Sequence, residues 1–509
     1  MALSTILLAG LPLQSTIQSA PFDEANLYQM AEVLLIKCWA PTKTHLSMVP
    51  PLGLMYLASF LRELGHSVRL TRWNDAPEAT AHIHALIRER KPDVIGISAI
   101  VPECGTLREL MPKLQEIAPG VPVMVGGHLA SANPLTTLRI PGVSVIALRE
   151  GERTAAELVE ALASGRDPEG IPGSAVLRDD KVVLAPEREN LSTAELDELP
   201  FPAWDLLDFK ELFSHRSMAS VGIRPYMQVI TSRGCPYRCI YCHATMGRMY
   251  RPRSPEKVIE EIRILREQYD IHEFEIVDDC FNLDRERMHR ILDGLVAFGD
   301  PKLRLQFPNG LRSDLLTRED VLLLKKAGTN FISFAVETAS PRLQKYVRKN
   351  LDIDKAVNAI SMAAGAGIFC NGFFMLGFPT ETAQEAKATI RLAVSTRLHE
   401  AMFFKVNPFR GTELFDRAVE EAHCNVDGID LNDLDFFTVS NNISQMSDEE
   451  FEKIYTSAYR RFYLNPVRIA RILWHHPRRS QLFMYMLQVV YKTGTALLEW
   501  ARRARVNSV

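Results

Sequence analysis

The chain has 509 residues, 47% hydrophobic and 24% charged, enough for two or three domains with full cores and too apolar for a disordered polymer. A formal net charge of −3 gives no general drive toward nucleic acid. Eight cysteines over this length do not make a secreted disulfide framework, and the apolar stretch Met1–Pro12 lacks the basic start of a signal peptide. No uninterrupted apolar run is long enough for a membrane span, so a cytoplasmic protein is expected.

Residues 1–30 read as an irregular N-terminal extension. Over 31–190, strands and helices alternate. Glu32–Cys38 reads as a strand and Leu52–Leu64 as an amphipathic helix stopped by Gly65. Further strands are expected at Ser67–Thr71, Asp93–Ile100, Val121–Val125 and Val143–Leu148. Helices fill the gaps at Glu78–Arg90, Thr106–Ile117, Pro134–Leu138 and Thr154–Ala163. Near-continuous Val/Ile strands separated by helices predict an α/β fold, a doubly wound parallel sheet covered on both faces. A hairpin follows at Ser174–Leu184, turning at Asp179-Asp180, and 191–222 reads as a linker.

A second alternation occupies 223–412. Strands are expected at Met227–Thr231, Glu273–Val277, Leu303–Phe307, Phe331–Val336, Phe369–Met375 and Ala401–Val406. Helices are expected at Pro255–Tyr269, Asp284–Phe298, Thr317–Ala327, Pro341–Arg348, Ile353–Ala366 and Ala383–Thr396. Six such units predict a partial (β/α)6 barrel with its chemistry at the carboxyl ends of the strands. Residues 413–509 read as a helical C-terminal region.

The densest signal lies on the loop after the first barrel strand, in Ser232-Arg233-Gly234-Cys235-Pro236-Tyr237-Arg238-Cys239-Ile240-Tyr241-Cys242-His243. Cys235, Cys239 and Cys242 at Cys-x3-Cys-x2-Cys spacing can hold three corners of a four-iron cluster. Such clusters normally take four cysteines. Three leave one iron open, which suits catalysis. The competing reading is zinc with His243 as a fourth ligand, but zinc favours four ligands in two close pairs.

With Tyr241 before the last cysteine, this loop resembles the cluster motif of the radical S-adenosylmethionine superfamily. The resemblance implies a [4Fe–4S] cluster on Cys235, Cys239 and Cys242, with S-adenosylmethionine chelated to the open iron. It also implies reductive cleavage of the sulfonium to a 5′-deoxyadenosyl radical. Other strand ends fit the same family. Asp278 and Asp279 match its acidic position after the second strand, and Asp284 or Asn282 caps the helix there. Glu337 resembles the acid that approaches the cofactor ribose or amino group. Gly377, in Phe374-Met375-Leu376-Gly377-Phe378-Pro379, resembles the turn beside the adenine. Asn407-Pro408-Phe409-Arg410-Gly411 departs from the usual order of the last turn and is given no role.

The first alternation carries Pro50-Pro51-Leu52-Gly53-Leu54, Val94-Ile95-Gly96-Ile97-Ser98, Val125-Gly126-Gly127-His128 and Arg149-Glu150-Gly151-Glu152. This order resembles the cobalamin-binding domain that precedes many radical S-adenosylmethionine domains. Ser98, Gly126 and Gly127 fall at strand ends, where open parallel sheets bind ligands and glycine allows close approach. The histidine motif Asp-x-His-x-x-Gly is absent. The first loop reads Cys38-Trp39-Ala40-Pro41-Thr42-Lys43-Thr44-His45, so cobalamin is expected without a protein histidine on cobalt and His45 as a solvated residue. Cys104, Cys280, Cys370 and Cys424 read as ordinary buried residues.

The tail Val467–Val509 carries eight Lys or Arg and one acid, Glu499, around the apolar run Leu482–Tyr491 and Trp500. That is the composition of an interfacial helix, or of a helix packed on the barrel with a solvated basic end. The resemblances together imply a cobalamin-dependent radical methyltransferase acting on an unactivated carbon of a hydrophobic or secondary-metabolite substrate, a lipid among the candidates. Reduced flavodoxin or ferredoxin would donate the electron. Nucleic acid is not an expected partner, and the tail would contact the inner membrane surface peripherally. The alternatives are an oxidative cyclase of the anaerobic magnesium-protoporphyrin monomethyl ester type and a non-catalytic cobalamin sensor or carrier. An open iron has no use in a sensor.

Overall fold

The computed structural model describes residues 30–39, 47–421 and 442–482. His45, Cys424 and the tail beyond residue 482 lie outside the described residues. The first sheet contains β1 (Glu32–Cys38), β2 (Ser67–Trp73), β3 (Val94–Ser98), β4 (Val123–Gly126), β5 (Val145–Ala147), β6 (Ser174–Arg178) and β7 (Lys181–Leu184), in the order β2-β1-β3-β4-β5-β6-β7. The first five strands are parallel. The expected hairpin, β6–β7, adds antiparallel to β5 and so extends this sheet. Alternation along β1 shows why both faces are covered. Leu34, Ile36 and Cys38 enter one core, with Ile83 and Leu107 of helices Pro77–Glu89 and Cys104–Ile117. Val33 and Leu35 enter the other, with Leu57 and Leu158 of helices Leu52–Glu63 and Glu152–Ala163.

The segment expected to be a linker is packed rather than loose. Ser192 and Glu195 form a capping box that starts helix Thr193–Glu198, and Asp208 caps helix Phe209–Ser214. Trp204 is buried and stacks on Phe201. The second sheet follows from β8 (Met227–Val229), with a two-stranded ribbon of β9 (Ser232–Arg233) and β10 (Arg251–Pro252) beside it. The remaining strands are β11 (Glu273–Ile276), β12 (Arg304–Leu311), β13 (Thr329–Glu337), β14 (Phe369–Leu376) and β15 (Glu400–Lys405). All six pair in parallel in sequential order from β8 to β15, a partial (β/α)6 barrel open between its two edges.

An open edge strand exposes unpaired backbone groups. Helix Asp448–Tyr463 covers the one on β15. Tyr455, Tyr459 and Tyr463 recur every four residues and share one helix face. The hydroxyls of Tyr455 and Tyr459 donate to the Phe403 carbonyl at 3.0 and 3.1 Å, and that of Tyr463 donates to the Ala401 carbonyl at 3.0 Å. The Phe403 and Ala401 amides donate back to Tyr459 and Tyr463. Helix Pro466–His475 then runs beneath the amino ends of the strands. Arg468, 2% exposed, stacks on Phe462 and donates to the carbonyls of Leu398, Val394 and Thr396. Arg478 pairs with Glu273, and Gln481 bonds both backbone groups of Ile223. The first third of the basic tail is therefore bound to the barrel, on the side away from the cysteine loop. Among the described residues no helix is long and apolar enough to cross a membrane.

Candidate active site

The cysteine loop leaves β8 under tight control. Asp278, fully enclosed at the end of β11, accepts from the Thr231 amide and the Ser232 hydroxyl, each at 2.6 Å, and from the Thr231 hydroxyl. Burial pushes the Asp278 carboxyl up, against Arg287 and these donors. The β9–β10 ribbon closes the loop like a clasp, pairing Arg233 with Arg251. Gly234 turns at φ +81°, and a Cβ there would lie 2.1 Å from the Met249 carbonyl oxygen, so only glycine fits. Inside the loop, Arg248 donates to the carbonyls of Tyr237 and Cys242. The three thiols are free, Cys235 and Cys239 half-buried and Cys242 exposed. Burial raises Cys235 and Cys242, and the nearby Asp279 raises both further. Cys280 is buried with its thiol pushed up to about 12, by burial first and by Cys235 next.

A second group of polar residues stands at the ends of β13 and β14. Glu337 closes β13 at φ +66°, where a bulge against β14 re-aims it, and it is 7% exposed. Lys349 donates to its Oε1 at 2.9 Å and the Tyr241 hydroxyl to the same oxygen at 3.3 Å. Tyr241 and Glu337 line a cavity of about 470 Å³ with Phe373, Met375, Phe404 and Phe409 from the barrel. Ile100, Val101, Pro102 and His128 complete its wall from the first domain. Gly377 lies behind this wall. Its amide and that of Phe378 donate to Glu381, and the Phe451 ring fills the space a Cβ would need.

Ser98, Gly126 and Gly127 meet at the carboxyl ends of β3 and β4, in a second cavity of about 310 Å³. It faces Ile230, Arg233, Thr245 and Met246 of the barrel. Gly127 sits at φ +88°, and a Cβ there would approach the Ala99 carbonyl oxygen and Ser98 Oγ to 2.9 Å. His128 lines both cavities, and its ring meets His243, next to Cys242, at 4.1 Å edge to face. Burial pushes His128 down to about 4, so its imidazole is neutral near pH 7.

Buried charges hold the two domains in this relation. From the ribbon, Arg233 reaches Glu152 at 2.7 Å and Glu150 at 3.3 Å, and Arg251 reaches Glu150 at 2.8 Å. Burial alone would raise the Glu152 carboxyl, but Arg233 and its hydrogen bond hold it below the ordinary value. Arg253 adds a bond to the Tyr56 hydroxyl at 3.1 Å.

The chain matches the B12 binding domain family over residues 42–159 and the Radical SAM superfamily over residues 229–393. It is 31% identical over 433 residues to an uncharacterized methyltransferase of Pyrococcus horikoshii, covering 84% of this chain and 91% of that one. The chain belongs to the radical S-adenosylmethionine superfamily, in the branch with a cobalamin-binding domain. It is also 26% identical over 458 residues to the anaerobic magnesium-protoporphyrin IX monomethyl ester cyclase of Rubrivivax gelatinosus, covering 87% of this chain and 79% of that one. Its fold is that of the radical S-adenosylmethionine methyltransferase TsrM of Kitasatospora setae, solved with cobalamin and a [4Fe-4S] cluster. The TM-score is 0.63 at 20% identity, over 77% of this chain and 78% of that one.

The cofactors of a cobalamin-type radical S-adenosylmethionine protein are a [4Fe–4S] cluster, S-adenosylmethionine and cobalamin. Zinc is thereby set aside. The residues present fit these groups. Cys235, Cys239 and Cys242 are free thiols on one loop, one for each of three corners of a four-iron cluster. At the ends of β3 and β4 the cavity wall includes Gly96, Ser98, Gly126 and Gly127, which allow close approach of a large ligand to the backbone. Sequence reasoning missed His128 and His243 as cavity residues, and Lys349 as the partner of Glu337. It took Glu150 and Glu152 as part of a cobalamin motif; they line the cavity at the ends of β3 and β4 and also bind the barrel's arginines. Two acids two residues apart, after a strand, carry no mark of a partner 80 residues away.

Proposed function

We propose that this chain is a methyltransferase that places a methyl group on an unactivated carbon of a hydrophobic substrate. The observation that carries the reading is the 470 Å³ cavity walled by Phe373, Met375, Phe404 and Phe409 between the ends of the barrel and the first domain. When bound, the cofactors supply a carbon-centred radical and a transferable methyl group. Cys235, Cys239 and Cys242 would hold the cluster and leave its fourth corner for S-adenosylmethionine. Asp279 and Glu337 offer carboxylates to that cofactor, and Tyr241 orients Glu337. Asp278 builds the loop, since its contacts are spent on Thr231 and Ser232. Gly377 shapes the turn behind the cavity. Ser98, Gly126 and Gly127 would give cobalamin its close backbone approach. Ile100, Val101 and Pro102 give the cavity an apolar wall on the side of the first domain.

The test is anaerobic reconstitution with iron, sulfide and cobalamin, then S-adenosylmethionine with a deuterated methyl group and mass spectrometry of lipid and tetrapyrrole extracts. A product gaining one labelled methyl supports the reading. Its absence alongside a ring-closed product supports the cyclase reading, which the similarity to the Rubrivivax gelatinosus enzyme favours. Absence of 5′-deoxyadenosine under reducing conditions would leave a sensor or carrier. Each single Cys→Ala change at 235, 239 or 242 is expected to abolish the brown absorbance and turnover. Reduced flavodoxin or ferredoxin would supply the electron in the cytoplasm.

A peripheral membrane contact is supported by helix Pro466–His475, whose outward side is apolar. Val467 is 64% and Trp474 69% exposed, while Arg468 faces the barrel. This contact would lie at the amino ends of the strands. It would anchor the protein rather than feed the cavity.

A further inference from the structure

We infer that the face of the barrel at the amino ends of its strands binds the phosphate head groups of an anionic bilayer; this rests on the proposed membrane contact and deepens it by naming the lipid charge it selects. Helix Pro466–His475 turns Arg468 and Ile472 into the protein. Val467, Ala470 and Trp474, at i, i+3 and i+7, form a ridge on its other side, and all three are exposed. Ile469 and Leu473 flank the ridge, and Leu464, just before the helix, is 68% exposed. The remaining charged groups of the helix, Arg471 and His475, are half-buried at one margin. An exposed helix side with no polar residue marks a contact with something other than water.

That margin is crowded with positive charge. Arg471 Nη1 reaches the Thr396 carbonyl at 3.5 Å, and His475 meets His399 edge to face at 5.2 Å. Arg397 lies between these two contacts and is exposed. A Cβ on Gly365 would lie 3.7 Å from Arg397 Nη1, and one on Gly367 would lie 3.8 Å from Lys325 Nζ, so both cations border one turn. Arg479 closes the group, donating to the Trp474 carbonyl and lying 5.3 Å over its ring. Among the described residues none of Lys325, Arg397, Arg471 and Arg479 forms an ion pair, whereas Arg478 beside them pairs with Glu273. Burial first, then Arg397, Arg471, Arg479 and Lys325, push the His475 imidazole down, a measure of how close these charges stand. Helix ends account for part of the group, since Lys325 donates to the Gly367 carbonyl at 3.0 Å past the end of helix Ile353–Gly365. Arg397 has no such carbonyl among the described residues.

An apolar ridge with a cationic margin fits an anionic bilayer, where Trp sits at head-group depth and each Lys or Arg adds attraction to phosphate. A second copy of the chain fits poorly, because a two-fold contact on this face would set the cations against themselves. Residues 483–509 do not neutralise them either. They carry Lys492, Arg502, Arg503 and Arg505 against Glu499, and so add to the same charge.

The inference is tested by co-sedimentation of the full-length, anaerobically reconstituted protein with two kinds of vesicle, phosphatidylcholine alone and phosphatidylcholine mixed equally with phosphatidylglycerol. Iron content and apparent Tm check that each variant is folded. Wild type is expected to bind the mixed vesicles about tenfold or more tighter than the neutral ones, and to lose that margin at high salt. R397Q with R479Q should weaken binding to the mixed vesicles about tenfold and leave the neutral ones unchanged. R397K with R479K should stay within about threefold of wild type, since the surface reads charge. Equal wild-type affinity for the two vesicles, or no loss in R397Q with R479Q, would overturn the inference while leaving the membrane contact standing. Self-association in sedimentation equilibrium that W474D abolishes would make a second copy the occupant and overturn it too. If wild type binds neither vesicle, the membrane contact falls and this inference with it.

Discussion

Glu381 gives the sharpest thermodynamic test of the barrel's active-site rim. Its carboxyl is 0% exposed, and Oε2 accepts from the Gly377 and Phe378 amides that form the turn after β14. Oε1 has no partner. Burial pushes the group from 4.5 up to about 8, the two amides opposing. A carboxyl raised in the folded state favours folding fully below its unfolded value and loses that contribution as pH rises through the folded value. Between pH 4.5 and 8 the whole effect is roughly 5 kcal/mol at 1.36 kcal/mol per unit, of which roughly 3 kcal/mol has gone by pH 7. E381Q cannot ionise and keeps the acceptor for both amides. For a domain of this size, roughly 3 kcal/mol corresponds to about 6–12 °C in Tm. Apparent Tm, followed by tryptophan fluorescence at matched scan rate from pH 5 to 8, should fall in the wild type relative to E381Q by that order. Parallel curves for the two proteins would mean the carboxyl is already ionised when folded, and the burial argument would fail.

Arg233→Met strands Glu152 in the domain interface, since Glu150 keeps Arg251, and should cost about 3–5 kcal/mol, read as a lower apparent Tm with faster proteolysis between the domains. Because Glu152 is depressed in the folded state, its contribution is present above about pH 4.5 and should be lost as pH falls below that, seen as acid-side separation of the two domains' unfolding transitions. Gly127→Ala puts a side chain at φ +88° against the Ala99 carbonyl and should cost roughly 1–3 kcal/mol and lower cobalamin retention after gel filtration, measured by absorbance. Val467→Asp with Trp474→Asp should reduce binding to anionic liposomes by about tenfold while leaving cluster content intact; unchanged sedimentation with vesicles would remove the membrane reading.

Both alternations of strand and helix were legible because the central strands, such as β1 and β3, are buried on two sides and so read as apolar runs of their own. β1 is such a run, and its residues divide cleanly between two cores. The cysteine loop was legible because ligand spacing is local. What was not legible is contact made across the chain. Tyr455, Tyr459 and Tyr463 look like an ordinary aromatic helix face until the open edge of β15 is seen beside them. The ribbon of β9 and β10 has two residues a strand, too short for any periodicity. Asp278 and Asp279 are chemically equal in the sequence, yet the strand end turns one into the frame of the loop and leaves the other beside the thiols. The basic tail read as one unit, but Arg468 and Arg478 are partners of the barrel.

The arrangement of the clasp has a consequence for the reaction. Arg233 and Arg251 belong to the ribbon that frames the cysteine loop, and the same two side chains bind Glu150 and Glu152 on the first domain. The position of the thiols and the position of the cobalamin-type sheet are therefore fixed by one set of buried charges, not two. A reaction that needs two cofactors aligned on one carbon requires that coupling, because a domain shift of about 1 Å costs about 100-fold in rate. A cyclase that drew only on the radical would tolerate slack between the domains. Weakening the clasp by Arg251→Lys, which keeps the charge but loses the fork, should therefore depress methylated product far more than it depresses 5′-deoxyadenosine. Equal depression of both would show that the domains need not be held in register, and would favour the cyclase.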